Sequence, residues 1–560
     1  MDIFQEEIIR LIKKETKLEP AVEIPPDPNL GDYAVPCFQF SKQLKKAPNT
    51  IAEELAAKLK PTKLIAEIKT IGPYINFFVS KEKLSEEILK KIVKEKENYG
   101  SQESKNKTYM VEYFHANTHK GVHIGHLRNI CISEALCRIL EFDGYKIIRV
   151  NYQGDIGPHV AKCIWGYLNL KEKEPKEKKG VWLGKIYSLA SKKADEDDKV
   201  EEEIRQINNR LYAKDKELMK IWQKTRQYCL DDFEDFYKEF GVKFDRLYFE
   251  SEAEEPGKKI VMDMLKKGTA EKSEGAIIID LKKYDLGVFV LITKDGNALY
   301  SAKDLGLADL KQKEFKFDKS IHITGAEQML HFKQLFKTFD IIDSPMAEKS
   351  VHIPYGLVML PEGKMSSRAG TMVLFDDLKE KLFEVAEMAT AERHKDLSDE
   401  ELNERVKKIA YGALKFSMMN RENNKDIIFD WDDALNFEGE TGPYIQYAHA
   451  RACSILRKYG KKIEHDVDFS LIKLKEEIEL IKKLGEFPAA VSRAAEGMKP
   501  YLVANHVYEI ARLFNEFYHA CPILTEADEL KKARLLLVDC IAKVLNIGLN
   551  LLGIIAPEEM

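Results

Sequence analysis

The sequence predicts an α/β protein built around a parallel sheet, with a smaller α/β unit before it and a helical bundle after it. Three observations carry that prediction. Residues Thr108 to Phe114 (TYMVEYF) are rich in strand formers, and after His123-Ile124-Gly125-His126 comes a helix pattern with Ile132, Ala135, Leu136, Ile139 and Leu140 on one face. Asp143-Gly144 breaks that helix and Tyr145 to Tyr152 reads as the next strand. The segment is therefore a βαβ unit whose turn lies at the carboxyl end of a strand, where open α/β sheets bind ligands. Near the end of the chain, Ala533, Leu536, Leu537, Cys540, Ile541, Val544, Leu545, Gly548, Leu549 and Leu552 recur at the spacing of a buried helix face.

In chain order, residues 1–105 read as a separate α/β unit. Helix patterns cover Ile3–Lys14 and Asn49–Leu59, Ile75–Val79 reads as a strand after Gly72-Pro73, and the polar stretch Glu97 to Lys107 reads as a linker. Residues 106–385 form a Rossmann-like nucleotide-binding domain with an insertion at about 163–280. The insertion holds Lys171, Lys173, Lys176, Lys178 and Lys179 and a charged helical stretch from Asp195 to Tyr237. Such a charge run is either a solvated helix face or a nucleic-acid contact, and sequence leaves both open. Residues 386–560 read as a helical bundle, with Val507, Ile510, Ala511, Phe514, Phe517 and Tyr518 forming a second stripe. These stripes are core and not a site.

Composition narrows the class. Forty-four per cent apolar and 32% charged residues describe a soluble globular chain. A net charge of −5 does not advertise a nucleic-acid partner but permits one where lysines cluster. The eight cysteines form no CxxC pair and no tight Cys/His cluster, so no structural zinc is expected and free thiols in a reducing compartment are. MDIFQEEIIRLIKKE is an amphipathic charged helix and not a secretion signal, and no apolar run reaches membrane-spanning length. A cytoplasmic monomer with no membrane partner is expected.

The chemistry follows from two short motifs. A helix N-terminus presents free backbone N–H groups and a partial positive charge, which suits a triphosphate. His123 and His126, one turn apart, can donate ring N–H bonds to phosphate oxygens, and Gly125 lets a flat nucleobase approach the backbone. Lys364, in the loop Gly363-Lys364-Met365-Ser366-Ser367, can neutralise charge that develops as phosphates separate. The alternative is a pair of capping histidines and a surface lysine, which the co-occurrence of the two motifs in this order argues against.

With these motifs the chain resembles class I aminoacyl-tRNA synthetases, and the arginyl-tRNA synthetases closely. VEYFHANTHKGVHIGHLRN is similar to that family's nucleotide segment, and Asn151-Tyr152-Gln153-Gly154-Asp155 to its second strand and turn. Asp295 to Tyr300 with Asp304, and Gly325-Ala326-Glu327-Gln328 with His331, resemble its amino-acid pocket. Phe437 to Tyr444 and the ending Leu551 to Met560 are similar as well.

The resemblance implies an arginine–tRNA ligase that makes arginyl-adenylate from L-arginine and ATP with Mg2+, and then charges the 3′ end of tRNA(Arg). His123, His126, Lys364 and Lys120 would stabilise charge, with Gly125, Met365, Ser366 and Ser367 completing the ATP site. Glu112, Asn117, Tyr300, Asp304 and Gln328 would hold arginine, since a guanidinium asks for planar carboxylate acceptors. The first unit would contact the tRNA elbow, the insertion its acceptor end, and the bundle its anticodon, through Tyr444, Tyr447, Arg451, Tyr501 and Asn505. Members commonly need tRNA before the first step proceeds. Among other amino acids, the carboxylate pair disfavours glutamate and the lack of a Cys–His cluster disfavours cysteine. Intact motifs disfavour a non-enzymatic tRNA-binding paralogue. One departure stands out: Ser367, followed by Arg368, occupies the place of the second lysine that many class I enzymes carry in this loop. Lys120 or Arg368 would then supply the missing cation.

Overall fold

A computed structural model describes residues 3–359, 374–391 and 397–560. The expected phosphate loop, Gly363 to Arg368, lies outside the described residues.

Five parallel strands form the central sheet. Across it they run Ser350–Tyr355, Lys319–Gly325, Thr108–Glu112, Lys146–Gln153 and Arg246–Phe249. Counted along the chain, the first strand pairs with the second on one side and with the fourth on the other. The order therefore reverses between Thr108–Glu112 and Lys319–Gly325, and that crevice is the topological switch point. The first strand ends at Glu112, two residues before the sequence pattern does, because Phe114 and His115 adopt left-handed backbone with φ of 78° and 40°. His123 then caps the helix Ile124–Phe142.

The crossover after Lys146–Gln153 contains four helices, Pro158–Asn169, Lys179–Glu196, Asp198–Tyr212 and Lys216–Phe240. Arg246–Phe249 follows them. It lies inside the span 163–280 expected to be inserted, yet it pairs with Lys146–Gln153 as the sheet's edge strand. A strand of four residues between charged helices carries too little alternation to be seen in the sequence. Downstream, Glu271–Ser273, Ala276–Asp280 and Val288–Ile292 make a small antiparallel sheet.

The first unit is an antiparallel sheet with Tyr74–Val79 between Tyr33–Pro36 and Ile65–Ile71, and its helix Ile3–Thr16 buries Phe4, Ile8 and Ile12. It is docked on the helical bundle. Tyr99 in the connecting segment donates its hydroxyl to the Leu484 carbonyl at 3.0 Å, and Asp32 pairs with Lys482. The bundle's helices include Asp399–Met419, Gly442–Tyr459, Tyr501–Ala520 and Asp528–Leu551, and the apolar stripes read from sequence face its interior except at Tyr518, which the spacing predicts as core and which is instead 41% exposed at the end of its stripe.

Arg128 joins these parts. It lies on the helix that His123 caps and is fully buried. One guanidinium nitrogen donates to the carbonyls of Gly356 (2.6 Å) and Leu357 (3.2 Å), the other to those of Asn423 (3.2 Å) and Lys425 (2.6 Å). Leu357 leads into the short strand Val358–Met359, which pairs with Ile427–Ile428. Arg128→Met should remove about 3–5 kcal/mol of stability, the scale of losing a buried charged contact. The check is the urea midpoint; an unchanged midpoint would mean that the four carbonyls find other donors.

Candidate active site

A cavity of about 440 Å³ opens at the switch point and is lined from both sides of it, by Glu112, Asn117, His123 and His126 and by Tyr300, Asp304, Gln328 and His331. Helix geometry and strand register thus bring together eight of the residues singled out in the sequence.

At one end stand the two histidines. His123 Nδ1 accepts from the Gly125 N–H at 3.2 Å, and His126 Nδ1 accepts from the His123 N–H at 3.2 Å. Their ring centroids are 3.8 Å apart. Because both Nδ1 atoms are acceptors, both rings carry their proton on Nε2. Burial, with Lys120 adding to it, pushes His123 down to about 4, and burial drives His126 well below the ordinary imidazole value. Both are neutral donors at neutral pH. Gly125 packs tightly here, since a β-carbon would stand 3.0 Å from the His123 ring and would have to push it aside. Lys120 rests its ammonium 5.2 Å from the Tyr187 ring centroid. The segment beyond Met359 re-emerges at Leu374, which pairs with His123.

At the other end are two carboxylates. Glu112 is buried and faces His322 across the strand pair, in register. Its Oε2 is paired with Lys311, and its Oε1 accepts from His322 Nδ1 at 3.1 Å. Burial opposes its charge, but Lys311 and His322 outweigh that and hold it well below the usual carboxylate range. Asp304 accepts from His331 Nε2 at 2.6 Å. Burial works against a charged His331, while the hydrogen bond and charge of Asp304 prevail and raise it. Tyr300 opens the helix Tyr300–Glu314 one turn before Asp304 and is 57% exposed, so its ring borders the mouth. Asn117 fills the space where a β-carbon of Gly154 would stand, its Oδ1 only 2.1 Å from that point.

Several residues of the cavity were not singled out as site residues in the sequence. Lys311 follows Asp304 by two helical turns, which spacing could have shown. His322 is set by long-range register, which spacing cannot show. Glu250 pairs with Lys303 at 2.6 Å, and burial raises it to about 7 against the pull of that lysine. Tyr152 points a hydroxyl without a partner into the same space.

The residues expected to meet tRNA lie on the bundle. The Arg451 guanidinium stacks between Tyr447 (4.7 Å) and Tyr518 (4.9 Å) and donates to Asn515 Oδ1 at 2.7 Å. Tyr444 packs near Tyr508 at 5.5 Å. Tyr501 donates to Glu422 at 3.3 Å, and Asn505, with its amide nitrogen turned toward the Asn420 and Tyr501 carbonyls, sits 3.3 Å from each.

A sheet of this order with paired histidines at its switch point is the frame of a class I aminoacyl-tRNA synthetase. Residues 88–431 match the sequence model of the family described as "tRNA synthetases class I (R), catalytic domain". Residues 445–560 match the DALR anticodon binding domain and residues 1–79 the arginyl tRNA synthetase N terminal domain. The arginine–tRNA ligase of Clostridioides difficile (strain 630) is 37% identical, over 99% of this chain and 98% of its own. That of Halothermothrix orenii is 35% identical over the full length of both. Among solved structures, the arginyl-tRNA synthetase of Thermus thermophilus superposes with a TM-score of 0.81 at 28% identity, covering 99% of each chain. The chain belongs to the arginyl-tRNA synthetase family.

The buried imidazoles make a prediction about stability. Burial holds His119 near 3 and His352 near 4, like His123. The unfolded chain takes up protons at these positions below about pH 6.5 and the folded chain does not. Stability present above that pH is therefore lost as pH falls toward 4. Glu250, His331, Asp155, Asp232 and Glu440, all raised, work in the opposite direction, against the larger set of lowered imidazoles. The urea midpoint should drop between about pH 7 and pH 5, with fully buried His119 contributing about 2 kcal/mol. A flat midpoint would mean that the imidazoles protonate in place.

Proposed function

We propose that the cavity activates arginine and charges tRNA(Arg) with it. The observation that carries this reading is the convergence of two carboxylates, Glu112 and Asp304, beside a helix N-terminus that presents two neutral Nε2–H donors. A planar cation fits the first group and a triphosphate the second. The reaction runs in two steps. The arginine carboxylate attacks the α-phosphorus of the magnesium complex of ATP, giving arginyl-adenylate and pyrophosphate. The terminal ribose of tRNA then displaces AMP and takes the arginyl group.

In this reading no side chain acts as a covalent nucleophile. His123 and His126 donate to phosphate oxygens, and Gly125 leaves room for the nucleotide. Lys364, with Met365, Ser366 and Ser367 around it, meets the departing pyrophosphate. Glu112, Asp304 and Tyr300 take the guanidinium, while Asn117 and Gln328 orient the amino-acid end. Each carboxylate oxygen has two lone pairs, so Glu112 keeps acceptor capacity although Lys311 and His322 already use part of it. Tyr444, Tyr447, Arg451, Tyr501 and Asn505 form the bundle's contact with the anticodon arm, residues 1–105 meet the elbow, and the inserted helices guide the acceptor end. The enzyme works as a cytoplasmic monomer, where its partners in protein synthesis are. Among the described residues no helix is long and apolar enough to cross a membrane.

An amino-acid panel with total tRNA tests the reading. Arginine should be incorporated, and lysine and glutamate should not. Pyrophosphate exchange with arginine should stay weak until tRNA is added. Glu112→Gln should raise the arginine KM with a smaller effect on ATP, because a desolvated charged contact is worth roughly 2–5 kcal/mol. Its melting point must be measured alongside, as Lys311 loses its anion. An unchanged arginine KM would place Glu112 outside the pocket.

Lys120 supplies the cation that Ser367 does not. Lys120→Ala should slow adenylate formation by about two to three orders of magnitude, as expected for one preorganised donor. The reverse result, with Arg368→Ala inactive and Lys120→Ala intact, would assign the task to Arg368.

A further inference from the structure

Thr118, His119, Lys120 and Gly121 lead into the histidine turn, and two of the inserted helices clasp them. On one side lies Lys179–Glu196. A β-carbon at its Gly184 would stand 2.9 Å from the Gly121 nitrogen, so this helix rests directly on the backbone of the segment. Tyr187, one turn further along the helix, has the Lys120 ammonium 5.2 Å from its ring centroid. On the other side lies Lys216–Phe240, which buries Thr225 and Cys229 one turn apart on a single face.

His119 makes the polar connection between the segment and this second helix. Its ring is fully buried and does not line the cavity. Nδ1 is 2.9 Å from the Thr118 hydroxyl, and Nε2 is 2.8 Å from the Thr225 hydroxyl. The backbone N–H of His119 donates to the Cys229 sulfur at 3.1 Å. Thr118 is anchored in turn, its N–H and its hydroxyl donating to the Gly154 carbonyl at 3.0 Å and 3.2 Å. The backbone at His119 is left-handed, with φ of 64°. Such an angle in a residue other than glycine persists where the surroundings hold it. It also sets the direction in which the chain leaves, and the next residue is Lys120. The charge of Lys120 bears on His123, His126 and His159, which puts the ammonium at the nucleotide end.

We infer that His119 is a positioning residue, its bond to Thr225 of the inserted helix fixing the left-handed turn that aims Lys120 at the phosphates. The inference rests on the reading of Lys120 as a cation that meets the departing pyrophosphate. It gives the inserted helices a task in adenylate formation besides any contact with tRNA.

Thr225→Val removes the hydroxyl and keeps the shape, at a position outside the cavity. With tRNA and saturating arginine, it should slow pyrophosphate exchange about 10-fold or more, towards the roughly 100-fold that displacing a group at the reacting centre by an ångström can cost. The arginine KM should not change, since arginine lies at the other end of the cavity. Thr225→Ser keeps the hydroxyl and should restore the rate. His119→Asn tests the same bond from its other end, because asparagine tolerates left-handed backbone and is too short to reach Thr225. The deciding measurement is made in the Lys120→Ala enzyme. There Thr225→Val and His119→Asn should cost nothing further, since residues that act through one group do not add. A parental rate in both single variants overturns the inference. So do losses that add to that of Lys120→Ala, or loss of folding in both variants, either of which would make the ring a packing element. If Lys120→Ala alone exchanges at the parental rate, it is the reading of Lys120 that falls.

Discussion

Glu112 occupies the middle strand of a parallel sheet, with a neighbouring strand on either side and its carboxylate closed off from water. A carboxylate in that position must be neutralised or paired, because burying a lone charge is prohibitive. Lys311 and His322 provide the pairing, one from a helix on the far side of the switch point and one from the adjacent strand. That requirement ties the two halves of the sheet together at the crevice where the ligand must bind. It also brings Asp304 into the cavity, since Asp304 and Lys311 share a face of one helix. The ion cluster is both a structural staple and the wall of the pocket. A buried pair of this kind is weak evidence for stability.

Arg128 solves a different problem with the same economy. Its guanidinium has no carboxylate among its hydrogen-bond partners in the described residues, and burial lowers it to about 10. Four carbonyls from two separate segments take bonds from its two terminal nitrogens instead, while its Nε is buried without a partner. One segment, Gly356–Leu357, leads toward the loop that carries Lys364. The other, Asn423–Lys425, leads toward the bundle, and Asn423 also donates to the Met498 carbonyl at 3.1 Å. Tyr501 and Asn505 contact the same connecting stretch through Glu422 and Asn420. The helix behind the histidines, the approach to the phosphate loop and the base of the anticodon-binding bundle thus share one rigid point.

The sequence made the βαβ unit legible because a strand, a glycine-bearing turn and an amphipathic helix each leave a local period. The histidine turn and the Asp304 helix were legible for the same reason. Arg246–Phe249 was not, because a short edge strand between charged helices has no period to read. Lys311 was readable from its two-turn spacing to Asp304, whereas His322 was missed because register across a parallel sheet cannot be counted from residue spacing.

At the nucleotide end the two histidines supply hydrogen-bond donors that carry no charge. Both histidines are locked as Nε2–H donors by backbone N–H groups that occupy their Nδ1 atoms, and burial keeps them neutral. Neutral donors orient phosphates without binding the ground state as tightly as fixed cations would, and tight ground-state binding does not by itself accelerate the step. On the proposed reading the positive charge that meets the departing pyrophosphate comes from Lys364 and from Lys120, which lies close enough to the histidine turn for its charge to bear on both His123 and His126. Ser367 stands where many class I enzymes carry a second lysine, and on the same reading Lys120 takes over that task.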